Sequence, residues 1–105
     1  MTVVQVVPGV CGLETRIVAR ADEMFRVSLE ITSACERVQE LGQRLRQLSA
    51  LEELRATIAE TCTYKTAAEC RLHVSCPVPS AILKAVEVAA GMALPADVHM
   101  RISKD

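Results

Sequence analysis

The chain is nearly without aromatic side chains, having one phenylalanine, Phe25, one tyrosine, Tyr64, and no tryptophan among 105 residues. Half of its residues are hydrophobic, so any core must be built from valine, leucine, isoleucine and alanine. The same scarcity argues against an RNA-binding sheet, which stacks bases on aromatic rings. An excess of one charge is also missing. Lysine and arginine number 12 against 13 aspartates and glutamates, and no run of like charge offers a polyanion a binding arm, so no nucleic-acid partner is expected. Long hydrophobic runs are absent too. The apolar start "MTVVQVVPGV" is cut at Pro8 and Gly9 and carries no basic segment. It is too short for a signal or membrane-spanning helix, and the expectation is a cytoplasmic protein without membrane contact. No Gly-rich phosphate loop, Gly-x-Ser-x-Gly or His-Glu-x-x-His occurs, so no common catalytic signature names a reaction. Cys-x-x-Cys, the spacing that makes a zinc or thioredoxin-like assignment strong, is absent as well.

What the sequence does contain is clear periodicity. Its length suits one domain, residues 1–105, with a single core. The β-branched "TVVQVV" reads as a first strand ended by "PGVCG". In "LETRIVARA", Leu13, Thr15, Ile17 and Ala19 alternate with Glu14, Arg16, Val18 and Arg20. Further on, Phe25, Val27, Leu29 and Ile31 alternate with Arg26, Ser28, Glu30 and Thr32, which predicts a hairpin turning at Asp22 and Glu23. At Ser33 the period changes. "SACE" matches a capping box, and Val38, Leu41, Leu45 and Leu48 recur at helical spacing with Cys35 on the same stripe, which predicts a helix to about Leu48. "SALE" at Ser49 and "TAAE" at Thr66 predict two further caps, with "TCTYK" between them as a loop. Pro77 and Pro79 suit a first helical turn and Gly91 a position just past a helix end, so Ser80 to Ala90 predicts a mostly buried helix. Val98, Met100 and Ile102 alternate with His99, Arg101 and Ser103, which predicts a last strand. The order β-β-β-α-α-α-α-β groups like elements together. The expected fold is therefore α+β, a two-layer sandwich with a mostly antiparallel sheet of about four strands and helices on one face.

The cysteines number five, at 11, 35, 62, 70 and 76, an odd count that cannot pair completely within the chain. In a reducing compartment they read as free thiols, metal ligands or redox groups. In an antiparallel meander, the connection after strand one and the exit of strand three lie at the same end of the sheet. Cys11 and Cys35 fall there. If helix one runs away and helix two returns, Cys62 comes back to that end, and Cys76 joins if the last helix starts there. Cys35 and Cys76 would then both flank helix N-termini, whose dipole favours a thiolate. Four such sulfurs form the ligand set of zinc or an iron-sulfur cluster. A local set, Cys70, His73 and Cys76, is spaced by three residues.

Plainer readings stand beside these. A buried cysteine is often just a small hydrophobe, which suits Cys35 on its apolar stripe. Cys-Pro before a helix can be capping alone. His73 and His99 read as ordinary side chains, and Glu52, Glu53, Glu60, Glu69 and Glu87 as surface or capping carboxylates. The sheet's polar face, with Arg16, Arg20, Arg26 and Arg101 among Glu14 and Glu30, is a mixed surface suited to a partner.

The "GVCG" loop, the "SAC" entering helix one and "CPVPSAILKAVEVAAGMALP" together resemble a small prokaryotic family of uncharacterised proteins with recurrent cysteines, a domain of unknown function. The resemblance implies a bacterial or archaeal cytosolic protein, in which Cys11, Cys35, Cys70 and Cys76 match the family's cysteines.

Three functional expectations follow. The first is a metal or iron-sulfur domain in which Cys11, Cys35 and Cys76 are ligands and Cys62 or Cys70 completes the set. The second is a thiol-redox or sulfur-handling protein, in which a low-pKa Cys76 is the nucleophile and Cys70 or Cys11 resolves it, with a redox partner the sequence does not identify. The third is a non-catalytic interaction module with packed cysteines, forming a homodimer through its sheet edges.

Overall fold

The computed structural model describes residues 1–105. The alternating segments form β1 (Thr2–Val6), β2 (Thr15–Ala21) and β3 (Arg26–Ser33), and with a short β4 (Gln47–Ser49) they make an antiparallel meander in the order β1-β2-β3-β4. The register pairs Val4 with Ile17 and Ile17 with Ile31, so the residues aligned by period two share one face of the sheet. Ile17, Ala19, Val27 and Leu29 are buried on that face, and Arg16, Arg20, Arg26 and Glu30 are exposed on the other. The β2–β3 turn falls where Asp22 predicts it. The Asp22 carboxylate accepts from the Met24 and Arg26 backbone N–H groups at 2.8 and 3.0 Å, and Phe25 adopts a left-handed φ of 60°.

The helices are α1 (Glu36–Arg44), α2 (Ala50–Arg55), α3 (Cys62–Glu69) and α4 (Val78–Ala89), with a 3₁₀ turn at Ile58–Glu60. Their buried residues join those of the sheet in one aliphatic cluster that includes Val38, Leu41, Ile82, Ala85 and Val86. Pro79 lies in the first turn of α4 and Gly91 has φ 75°, as the punctuation of the sequence predicts. Gly42 lets α1 lie close against β3, since a Cβ there would meet both Cβ and the carbonyl oxygen of Ile31 at 3.1 Å. No helix is long and apolar enough to cross a membrane.

Four boundaries depart from the sequence expectations. Helix α1 stops at Arg44, and the next residues form β4 (Gln47–Ser49), which pairs with Arg26–Ser28. Leu45 and Leu48 are buried as expected, but Leu45 closes α1 and Leu48 is buried through a strand: pairing to β3 overrides a spacing that also suits a helix. Ser33 closes β3, and the N-cap of α1 is Cys35. The "TCTYK" segment is the N-cap, Thr61, and the first turn of α3, so Thr66 lies inside that helix and opens nothing. Ser49, in contrast, caps α2 as predicted, its hydroxyl accepting from Glu52 N–H at 3.3 Å. Finally, no strand forms over Val98–Ile102. The chain beyond Gly91 joins no helix or strand and is largely exposed, because nothing beside it offers the backbone partners a strand requires.

Candidate functional site

One end of the sheet is built by Val6, Thr15 and Ser33, which are aligned across β1, β2 and β3. Thr15 and Ser33 share a hydroxyl–hydroxyl hydrogen bond of 2.7 Å. The Ser33 hydroxyl also accepts from the Cys35 backbone N–H at 3.0 Å, and Ala34 N–H donates to the Glu14 carbonyl. These bonds fix where the chain turns from β3 into α1, and so fix Cys35. The cysteine is half-buried against the core.

Cys76 reaches the same end from the far side of the chain. Its backbone N–H donates to the His73 carbonyl at 2.9 Å, closing a turn immediately before α4. Its sulfur accepts from the Val78 backbone N–H, in the first turn of the helix. Cys76 is half-buried, and its pKa is raised from the ordinary thiol value of 9.0. Burial is the largest cause, and charge on Cys35 and on Cys11 adds to it. The Val78 hydrogen bond pulls the other way and is outweighed. The low-pKa thiolate predicted from the helix terminus is therefore not what this environment produces, because desolvation exceeds the stabilisation from the first-turn amide.

Cys11 completes the group. It stands exposed in the β1–β2 connection between Gly9 and Gly12, which take φ values of 92° and 66° and are joined by a 3.0 Å hydrogen bond from Gly12 N–H to the Gly9 carbonyl. Both glycines occupy conformations costly for other residues. Residues 11, 35 and 76 thus reach one end of the sheet from three separated segments, and charge on the first two raises the pKa of the third.

The remaining predicted residues lie elsewhere. Cys62 is at the opposite end, where it lines a cleft with Arg26, Gln47 and Glu53. The expected return of helix two does not occur, because β4 carries the chain onward toward the β2–β3 hairpin before α2 begins. Cys70 ends α3 and is buried in the core, 3% exposed, beside Glu40, Arg44 and Glu69. Its pKa is also raised, by burial first and then by the two glutamates, with Arg44 opposing. His73 is exposed, and its ring pairs with the Ser75 hydroxyl at 3.3 Å. The local Cys70, His73 and Cys76 spacing is therefore not a shared site. No group of three or more His, Cys, Asp or Glu side chains is arranged to hold a metal ion.

Sequence reasoning underrated one residue. Glu53 is buried, and its carboxylate accepts from the Cys62 N–H at 2.9 Å, from the Thr63 N–H at 2.7 Å and from the Thr63 hydroxyl at 2.6 Å. It closes the start of α3 from nine residues upstream. A carboxylate buried to this extent is costly unless it is bonded in this way, and only the fold shows the partners.

A family model described as "Family of unknown function (DUF6951)" matches residues 2–102. No curated protein and no solved structure matches the chain.

Proposed function

Because the chain belongs to a family of unknown function, DUF6951, its role has to be read from the chain itself, and we propose that it binds a thiophilic metal, zinc or the iron of an iron-sulfur cluster, through Cys11, Cys35 and Cys76. The supporting observation is the convergence of these cysteines at the Val6–Thr15–Ser33 end of the sheet, with charge on Cys35 and Cys11 acting on Cys76. Three neighbouring thiolates repel one another, and a soft cation removes that repulsion while taking the donors it prefers. Two of the sulfurs are held on the core by α1 and α4. The third, Cys11, is exposed on a glycine-flanked loop at the same end. Three protein ligands with an open fourth position is the arrangement of reactive metal centres rather than of closed structural ones. Cys62 and Cys70, at a distance from this end, do not serve as the fourth ligand in this reading.

Anaerobic purification followed by metal analysis and a visible spectrum tests the proposal. Bound metal that is lost on Cys35→Ser or Cys76→Ser and kept on Cys62→Ser is the expected result. Protein that folds normally, is colourless and takes up neither zinc nor iron in titration overturns it.

A further inference from the structure

We propose that the open edge of β1 is completed by residues Val98–Ile102 of a second copy, so that two chains associate by reciprocal exchange of their C-terminal segments. β1 is the first strand in the order β1-β2-β3-β4 and has a partner on one side only. Sheets usually blunt such an edge with charge, proline, a bulge or a covering element. At the opposite edge α1 crosses β3 at Gly42 and β4 is only three residues long. β1, with the sequence TVVQV, carries neither charge nor proline.

The chain also carries a strand without a sheet. Val98, Met100 and Ile102 alternate with His99, Arg101 and Ser103, the pattern of a strand with one apolar face. Yet these three apolar residues are 62%, 74% and 92% exposed, and no backbone hydrogen bond involves any residue beyond Met92. The family match runs to residue 102 and so includes this segment. Placed beside β1, Val98, Met100 and Ile102 would lie on the helix side with Val4 and Val6. His99 and Arg101 would lie on the polar face, where the Glu14 carboxylate bonds only to Gln5 and makes no ion pair.

A second copy is favoured over the chain's own tail by the course of the tail. Every residue from Leu94 to Asp105 is exposed and none makes a backbone hydrogen bond, so the tail does not lie on β1 of its own chain. Each copy has one open edge longer than three residues, β1, and one unpaired segment, so a two-fold exchange satisfies both.

Light scattering and sedimentation of the full chain, together with backbone amide exchange, test the proposal. The expected result is a dimer with protected amides over 98–102 and along β1. Met100→Pro, in an exposed segment, removes a backbone donor and is expected to weaken dimerisation by about tenfold or more while far-UV circular dichroism is unchanged. Ile102→Asp provides a second disruption with the same readout. A monomeric native chain, a dimer indifferent to both substitutions, or a monomer whose 98–102 amides are protected by its own β1 each overturns it.

Discussion

The two ends of the sheet use the same materials to opposite effect. At the hairpin end, α3 begins at Cys62, and the buried Glu53 carboxylate takes up the N–H groups of Cys62 and Thr63 while the Thr61 hydroxyl takes that of Tyr64 at 3.0 Å. At the other end, α1 and α4 begin beside Cys35 and Cys76 with no oxygen side chain capping either helix. An end whose amides already hold a carboxylate has no use for another anion or for a cation beside its cysteine. At the other end no oxygen side chain caps either helix, and the thiols there have no amide-bound carboxylate at the helix starts to compete with. A cysteine beside a helix start is thus informative only once the other ligands of that start are known.

The largest expected effect comes from opening the closed end. Glu53→Ala leaves the Cys62 and Thr63 donors without their partner, and thermal or urea unfolding is expected to show a loss of about 3 kcal/mol. An unchanged midpoint would mean that water replaces the carboxylate and that this end is less closed than its geometry indicates. A smaller loss, about 1 kcal/mol, is expected from Ser33→Ala, which removes the bonds to Thr15 and to the Cys35 N–H. The same variant should loosen Cys35 and speed its alkylation. Cys62 alkylation should stay as it is, which separates the two ends directly.

The third effect depends on pH. Burial raises the Cys70 thiol above its ordinary value of 9.0, so the folded chain holds that proton more tightly than the unfolded chain does. The associated stability is complete below 9.0 and is lost as pH rises through the folded value, and Cys76 acts with the same sign. Unfolding midpoints should therefore fall in alkaline buffer, and less steeply in Cys70→Ala than in the native chain. The smallest effect is expected from Cys62→Ser. The side chain is exposed and the hydrogen bond to Glu53 comes from the backbone, so stability should change by no more than about 0.5 kcal/mol. Metal content should not change either.

Legibility along the chain tracks how local the cause is. The β2–β3 hairpin could be read because alternation over Thr15–Ala21 and Arg26–Ser33 meets a turn residue, Asp22, whose side chain closes the turn by itself. The Ser49 cap and the Pro79 to Gly91 frame of α4 were legible for the same reason. β4 was not, since Leu45 and Leu48 satisfy helical spacing and only pairing with Val27 across the sheet makes Gln47–Ser49 a strand. The start of α3 was hidden similarly, because the carboxylate that closes it comes from another helix. At the cysteine end, the meander alone places Cys11 beside Cys35, whereas Cys62 depended on where α2 would lead.

By itself the sequence determined an aliphatic core, an antiparallel α+β layer arrangement, and the positions of the strands and caps whose signals lie within a few residues of one another. Only the tertiary structure decided which cysteines meet. It leaves Cys11, Cys35 and Cys76 at one end of the sheet, buries Cys70, sends Cys62 to the opposite end, and leaves Val98–Ile102 as a strand without a neighbour. Period and capping are properties of one segment and its own backbone, while proximity and strand pairing are properties of two segments, fixed only when the chain between them has been placed.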